Sequence, residues 1–333
     1  MMRFIGFISI LIAVVGGCGW LDYQHAVGQP LLIKEPLTFE IEKGDSLRKI
    51  TRSLGADGIL YAPFWFQIMA IAGGNADKLK AGEYELEPGM TARELLATLI
   101  AGKVRYHTLT LVEGWTFQQV FAELGRRSDI TVTLAGKSHP EIMTLIGSAR
   151  EHPEGRFFPD TYFFTKGTTD LAILKRAYQR MQTMLDVQWS NRAEGLPLRT
   201  SYDALILASI IEKETGKADE RATIAGVFTR RLGQGMPLQA DPTVIYGMGE
   251  EFDGNIRHKD LVAPTPYNTY IHSGLPPTPI AMPGAASIYA ALHPNDDSSL
   301  YFVSRGDGTH VFSATVKEHN RAVDIYQRKK KKQ

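Results

Sequence analysis

Glu214 is the residue whose surroundings most suggest chemistry. It lies near the end of residues 202–216 (YDALILASIIEKETG), whose apolar spacing predicts a helix that stops at Gly216. At about 100° of rotation per residue, Leu205, Ile206, Leu207, Ile210 and Ile211 share one mean direction. Glu214 stands at i+4 from Ile210, i+3 from Ile211 and i+7 from Leu207, so it continues that stripe. Glu212 is expected to point nearly opposite, toward solvent. A carboxylate on an apolar face is costly unless it is paired or lies in a cleft where charge is wanted. Desolvation raises its pKa, which is what a general acid working near neutral pH requires. The same placement admits a simpler role, in which Glu214 caps the helix end or pairs with Arg221 or Arg230.

A second helix is expected over residues 221–232. After it come loops dense in Gly, Pro, Tyr, Asn and Gln: GMPLQADPTVIYG at 235–247, TPYNTY at 265–270 and GLPP at 274–277. Sugar sites use such mixtures, in which planar amides and acids bond hydroxyls while aromatic faces cover the apolar side of a pyranose ring. Taken singly, each loop also reads as a rigid surface turn.

The 333 residues leave room for about two domains. Lys and Arg total 37 against 36 Asp and Glu, a net charge of +1 that argues against a nucleic-acid partner held by bulk charge. With 44% hydrophobic and 22% charged residues the chain is an ordinary globular mixture. One cysteine excludes an intramolecular disulfide and a Cys-based zinc cage, and the 9 His include no HExxH. Neither a metal nor a cofactor is expected.

The chain opens MMRFIGFISILIAVVGGCGW. Arg3 is the sole charge before Asp22, and the apolar or glycine run over 4–21 has about the length a bilayer-crossing helix needs, roughly 17–25 residues. An anchor over 1–21 is expected, with Arg3 holding the N-terminus cytoplasmic, followed by a linker over 22–36. Signal-peptide cleavage is one rival; lipidation at Cys18, in the lipobox-like Val15-Gly16-Gly17-Cys18, is another. All three place the body in an extracytoplasmic space.

Three segments repeat a strand, turn and helix-start pattern: KGDSLRKI at 43–50, PGMTAREL at 88–95 and EGWTFQQV at 113–120. Each has a turn glycine followed two residues later by Ser46, Thr91 or Thr116, good N-caps. Thr91 with Glu94, and Thr116 with Gln119, complete capping boxes. The runs at 37–41, 83–86 and 109–112 ahead of them read as strands. The first copy resembles the opening of a LysM module, a small βααβ fold that binds N-acetylglucosamine chains; that resemblance covers roughly residues 38–102. The aromatics of residues 154–162 read as core or cleft wall. The tail at 328–332 (RKKKK) reads as a solvated end.

Four stretches, ASIIEKETG (208–216), GVFTRRLGQGMPLQADPTVIYG (226–247), TPYNTYIHSGLPPTPI (265–280) and EGRFFPDTYFF (154–164), closely resemble the YceG-like (MltG) family of membrane-bound endolytic murein transglycosylases. The resemblance runs from the N-terminal segment to about residue 325. It implies an α+β chain: an N-terminal transmembrane anchor, a small LysM-like βααβ module over 37–105, a larger mixed α+β catalytic domain over 106–328 and a basic tail over 329–333. The family's catalytic glutamate is the second Glu of EKET, which is Glu214 here. The implied reaction is a lyase cut between N-acetylmuramic acid and N-acetylglucosamine. Glu214 protonates the bridging oxygen, then takes the proton of the muramyl C6 hydroxyl, which closes on the anomeric carbon as a 1,6-anhydro end. Gln239, Asp241, Thr243, Tyr246, Tyr267, Asn268 and Tyr270 are the expected sugar-binding residues. Cleavage inside nascent strands would end their elongation. The implied partners are glycan strands and peptidoglycan synthases (penicillin-binding proteins), with the catalytic domain on the periplasmic side of the bacterial inner membrane. Two other readings stay open: a hydrolytic muramidase with Asp241 as base or nucleophile, and a non-enzymatic wall-binding scaffold of a growth complex.

Overall fold

The N-terminal residues form one long helix, α1 (Met2–Gly28), in a computed structural model that describes residues 2–328. The basic tail over 329–333 lies outside the described residues. Over Ser9–Gly28, α1 is long and apolar enough to cross a membrane. Val27 is buried in the core of the unit that follows and Tyr23 packs against it, so the helix runs on through residues 22–28, where the linker was expected to begin. Cys18 is a free, exposed thiol.

Next come β1 (Leu37–Ile41), α2 (Leu47–Ala56), α3 (Pro63–Ala72), β2 (Gly82–Leu86) and α4 (Ala92–Ala101). β1 and β2 pair antiparallel, from Leu37 opposite Leu86 to Ile41 opposite Gly82. The alternation of the strands puts Phe39, Ile41, Tyr84 and Leu86 on one face, where they meet Ile50, Leu54, Phe66, Leu95 and Leu99 from the helices. The order is therefore βααβ with a further helix.

β3 (His107–Thr110) and α5 (Phe117–Arg126) complete the third repeat. Gly44, Gly89 and Gly114 have φ of 96°, 91° and 78°, a region that a side chain would strain. Ser46, Thr91 and Thr116 each accept from the amide three residues on, and both expected capping boxes are formed. β3 lies two residues upstream of the run read from the sequence; Val112 already belongs to the turn, accepting from the Trp115 amide.

Two units emerge from the chain's contacts: residues up to His107 with Phe163–Gly167, and Thr108–Tyr162 with the chain from Thr168 onward. The second unit continues through β4 (Ile130–Thr131), α6 (His139–Ile146), β5 (Thr161–Phe164, whose last two residues count with the first unit), β6 (Thr168–Thr169), α7 (Asp170–Ser190), α8 (Ser201–Glu214), α9 (Arg221–Gly233), α10 (Asp241–Met248), α11 (His258–Leu261), α12 (Ala285–Leu292), β7 (Tyr301–Ser304), β8 (His310–Ser313) and α13 (Val316–Val323). Its strands form small pairs, β4 with β6 in parallel and β7 with β8 antiparallel, so the class is mixed α+β with helices dominant. Phe157, Phe158 and Tyr162 are buried.

α8 is the centre of this unit. Every residue from Ala204 to Ile211 is buried, because α7, α9, α10 and α12 pack around it. That enclosure overturns one expectation. Glu212 does not point to open solvent: it is half-buried, and its Oε2 accepts the Gly284 amide at 2.9 Å. Ser209 similarly accepts the Ile280 amide at 3.0 Å, so α8 pins the loop at two points. The stop also differs. α8 ends at Glu214, and Thr215 leaves in an extended conformation (φ −146°, ψ 136°), so no left-handed glycine at 216 is needed.

Candidate active site

Glu214, the last residue of α8, lines a cleft of about 380 Å³. Gln239, Asp241, Tyr270 and Arg231 share that cleft. Among the described residues no hydrogen bond or ion pair reaches the Glu214 carboxyl. The simpler roles are thereby accounted for: Arg230 is taken by Asp297 at 2.5 Å and by the carbonyls of Asn295 and Ser299, and neither it nor Arg221 pairs with Glu214. Burial pushes the Glu214 pKa up to about 8, with the charge of Asp241 adding to the effect. Its place at a helix C-terminus acts in the same direction, since the carbonyl end of the helix dipole disfavours negative charge.

Asp241 occupies the opposite electrostatic position. It is the first residue of α10, followed by Pro242, a residue preorganised for a helix start. Its Oδ1 accepts the Tyr270 hydroxyl at 2.5 Å. Burial first, then Asp241 and Glu214, hold the Tyr270 phenol far above its ordinary pKa, so it remains a donor.

Gln239 has φ 54°, the single non-glycine residue in the left-handed region among those described. Its amide donates to Thr269 O at 3.0 Å, and its Oε1 accepts Arg231 Nη1 at 3.2 Å. Arg231 is itself fixed by Leu300 O, Pro237 O and Leu238 O, and lies 5.0 Å over the Tyr301 ring. With Oε1 occupied, Gln239 has its NH₂ group left to offer. Backbone strain at a cleft residue is maintained where function uses the resulting aim. We expect Gln239→Gly to keep or raise Tm while lowering kcat/KM about tenfold, since strain is relieved and one positioned donor is lost; thermal melts alongside steady-state kinetics check this.

The other expected sugar-binding residues do not line this cleft. Asn268 is fully buried, and its Nδ2 donates to Asp260 O, Leu261 O and Ala263 O at 3.3, 3.0 and 2.8 Å. Thr243 is fully buried between Ala240 O (2.7 Å) and Thr269 Oγ1 (2.8 Å). Tyr267 bonds Thr278 Oγ1 at 2.9 Å, and Tyr246 donates to Glu154 Oε2 at 2.9 Å while meeting the Tyr267 ring edge-on. These contacts brace α10 and the 260–280 loops. Asn268→Ala should therefore cost about 1–3 kcal/mol of stability, because a fully buried amide is removed and three loop carbonyls, one buried and two partly so, lose its Nδ2, and urea unfolding measures it.

The sequence reading also missed a wall. Phe302, Ser304, His310 and His319, from β7, β8 and α13, line the same cleft. His310 is held by Glu220, which accepts its amide at 2.9 Å and meets Nδ1 at 2.7 Å. Alternation in YFVSRGDGTHVFS marks a hairpin, yet nothing local in it points at Glu214. Among the described residues no group of three or more His, Cys, Asp or Glu could hold a metal ion.

A profile of the YceG-like family matches residues 39–325. The chain belongs to the YceG-like family. The endolytic murein transglycosylase of Bacillus subtilis is 32% identical over 88% of this chain and 85% of that protein. The endolytic murein transglycosylase of Streptococcus pneumoniae (strain R6) is 26% identical over 94% of this chain, which spans 63% of that longer protein. The crystal structure of a yceG-like protein from Listeria monocytogenes is similar as well, with 30% identity, a TM-score of 0.53, and coverage of 87% of this chain and 99% of that one. Within this YceG-like chain, the EKET segment whose second glutamate is Glu214 falls inside the matched span.

Proposed function

We propose that the chain is an endolytic lytic transglycosylase of peptidoglycan, with Glu214 as its single acid and base. The observation that carries this reading is the Glu214 carboxyl itself: half-buried, without a protein partner among the described residues, and facing a cleft, with burial raising its pKa. A carboxyl with a pKa near 8 is protonated at neutral pH and can donate. Glu214 gives its proton to the oxygen between N-acetylmuramic acid and N-acetylglucosamine, and the C1–O bond breaks. The carboxylate then removes the proton of the muramyl C6 hydroxyl as that oxygen bonds C1. The acid is regenerated and no water is consumed. Asp241 stabilises the oxocarbenium charge that forms meanwhile, held in place by Tyr270, while Gln239 and Arg231 orient the sugar. Thr243, Tyr246, Tyr267 and Asn268 act indirectly, by bracing the loops.

Relatives named endolytic murein transglycosylases support this assignment. We read α1 as a single-pass anchor in the cytoplasmic membrane, the βααβ part of the first unit as a LysM-like glycan-binding module, and the site as acting on new strands near the membrane to end their growth beside the synthases. The presence of Asp241 in the cleft favours a second reading, a muramidase in which it serves as base or nucleophile. Digestion of uncrosslinked glycan by the full chain separates them. Internal cuts with 1,6-anhydro ends support the lyase; reducing ends give the muramidase; intact strands leave a scaffold.

A further inference from the structure

α3 presents an apolar face that the described part of its own unit leaves uncovered. Its sequence, PFWFQIMAIA, contains no charged residue. Phe66, Met69 and Ala70 are buried in the core, whereas Phe64, Ile68 and Ile71 are exposed by 64%, 37% and 53%. These three recur at i, i+4 and i+7, so they line one side of the helix. Tyr61, just ahead of the helix, is exposed as well. A continuous apolar stripe on a small polar module marks a surface that something covers.

The structure points to what covers it. A chain of aromatic rings joins this face to the far end of α1: Trp20 to Tyr23 at 5.6 Å, Tyr23 to Trp65 at 5.6 Å and Trp65 to Phe64 at 5.1 Å. Trp65 Nε1 donates to Asp22 Oδ2 at 2.7 Å, and Tyr61 meets His25 edge-on. Trp and Tyr collect at the membrane–water boundary, where an apolar body and a polar tip are both satisfied. These rings therefore mark the level at which α1 would leave a bilayer, and they lead directly onto the α3 stripe. Trp20, the first ring of this chain, is 62% exposed and carries the apolar surface onto α1.

We propose that the Phe64–Ile68–Ile71 face of α3 lies in the interfacial layer of the lipid bilayer that α1 crosses, as a short in-plane helix. The proposal rests on the reading of α1 as an anchor. It makes the contact two-point, a spanning helix plus an interfacial one, which fixes the tilt of the first unit instead of leaving it free on a tether. The absence of charge on α3 means that the contact draws on apolar burial and needs no anionic lipid.

The test uses the full chain in nanodiscs of phosphatidylethanolamine and phosphatidylglycerol, with Cys18→Ser as background. Single nitroxide labels are placed at Ile71→Cys, at Ile12→Cys within α1, and at Glu85→Cys, which is exposed on the β2 face turned from the core. Collision with oxygen, which partitions into lipid, is compared with collision with a water-soluble nickel chelate. The expected result is a label at 71 several-fold less accessible to nickel than the label at 85 and readily accessible to oxygen, approaching the behaviour at 12. A water-like label at 71 with a lipid-like label at 12 overturns the docking face and leaves the anchor standing. Water-like labels at both positions overturn the anchor reading itself. A label at 71 shielded from both reagents shows that protein, a second copy or a partner, covers the face, and also overturns the proposal.

Discussion

Glu214→Gln should lower kcat by about 10³-fold or more, because it removes the group proposed to give and recover the proton; general acid–base contributions alone reach 10²–10⁴. Binding of intact glycan should change little, since the amide preserves shape and the cleft wall is otherwise untouched. The same substitution should not weaken the fold. An ordinary glutamate ionises near 4.5, whereas Glu214 in the folded chain ionises near 8. Between those values the unfolded state releases a proton that the folded state keeps, so stability declines as pH rises through this window. Below about pH 4.5 the residue is neutral in both states and costs nothing; above about pH 8 it is charged in both and the cost is complete. At pH 7 the cost is of order 3 kcal/mol. Glu214→Gln escapes it, so its Tm should equal or exceed the parent's at pH 7–8, with the gap closing toward pH 4.5. Calorimetry across pH reads this directly, and a Tm well below the parent's at pH 8 would mean that the carboxyl is a structural partner.

Asp241→Asn should produce the second large effect and a distinct signature. For the parent, kcat/KM should hold up to about pH 8 and then fall tenfold per pH unit as Glu214 loses its proton. Removing the neighbouring charge lowers the Glu214 pKa, so this alkaline limb should move to lower pH. Burial is the larger cause and remains, so the limb should stay well above the ordinary carboxylate range. The plateau should also drop, by about 10²-fold, through loss of the charge proposed to stabilise the oxocarbenium. A muramidase that used Asp241 as nucleophile would behave otherwise: Asp241→Asn would then be as inactive as Glu214→Gln. The pH profile of kcat/KM for the two variants decides between these outcomes.

How much of this was legible in the sequence depended on range. Local rules worked where the cause was local: the turn glycines at 44, 89 and 114 and the caps at Ser46, Thr91 and Thr116 stand where the pattern placed them. The apolar stripe through Ile210 and Ile211 led to Glu214, which sits half-buried in a cleft wall with its pKa raised by burial. The same periodicity misread Glu212, because the turn that enters α12 covers that side of α8 and binds the carboxylate through the Gly284 amide, a tertiary fact. The loop residues divided for a related reason. Asn268 and Gln239 look alike as amides in Pro- and Gly-rich loops, but one staples three carbonyls and the other is aimed by Arg231 into the cleft. His310 and Phe302 were unreadable as site residues, since nearly a hundred positions separate them from Glu214 and only the fold closes that gap.

The most direct test of the central claim is digestion of uncrosslinked glycan in H₂¹⁸O with the full chain, followed by mass spectrometry of the new muramyl ends. If Glu214 returns the C6 hydroxyl proton to itself while that oxygen closes the ring, every new end is anhydro and carries no ¹⁸O. New reducing ends bearing ¹⁸O would show that water is the nucleophile, and would contradict the account.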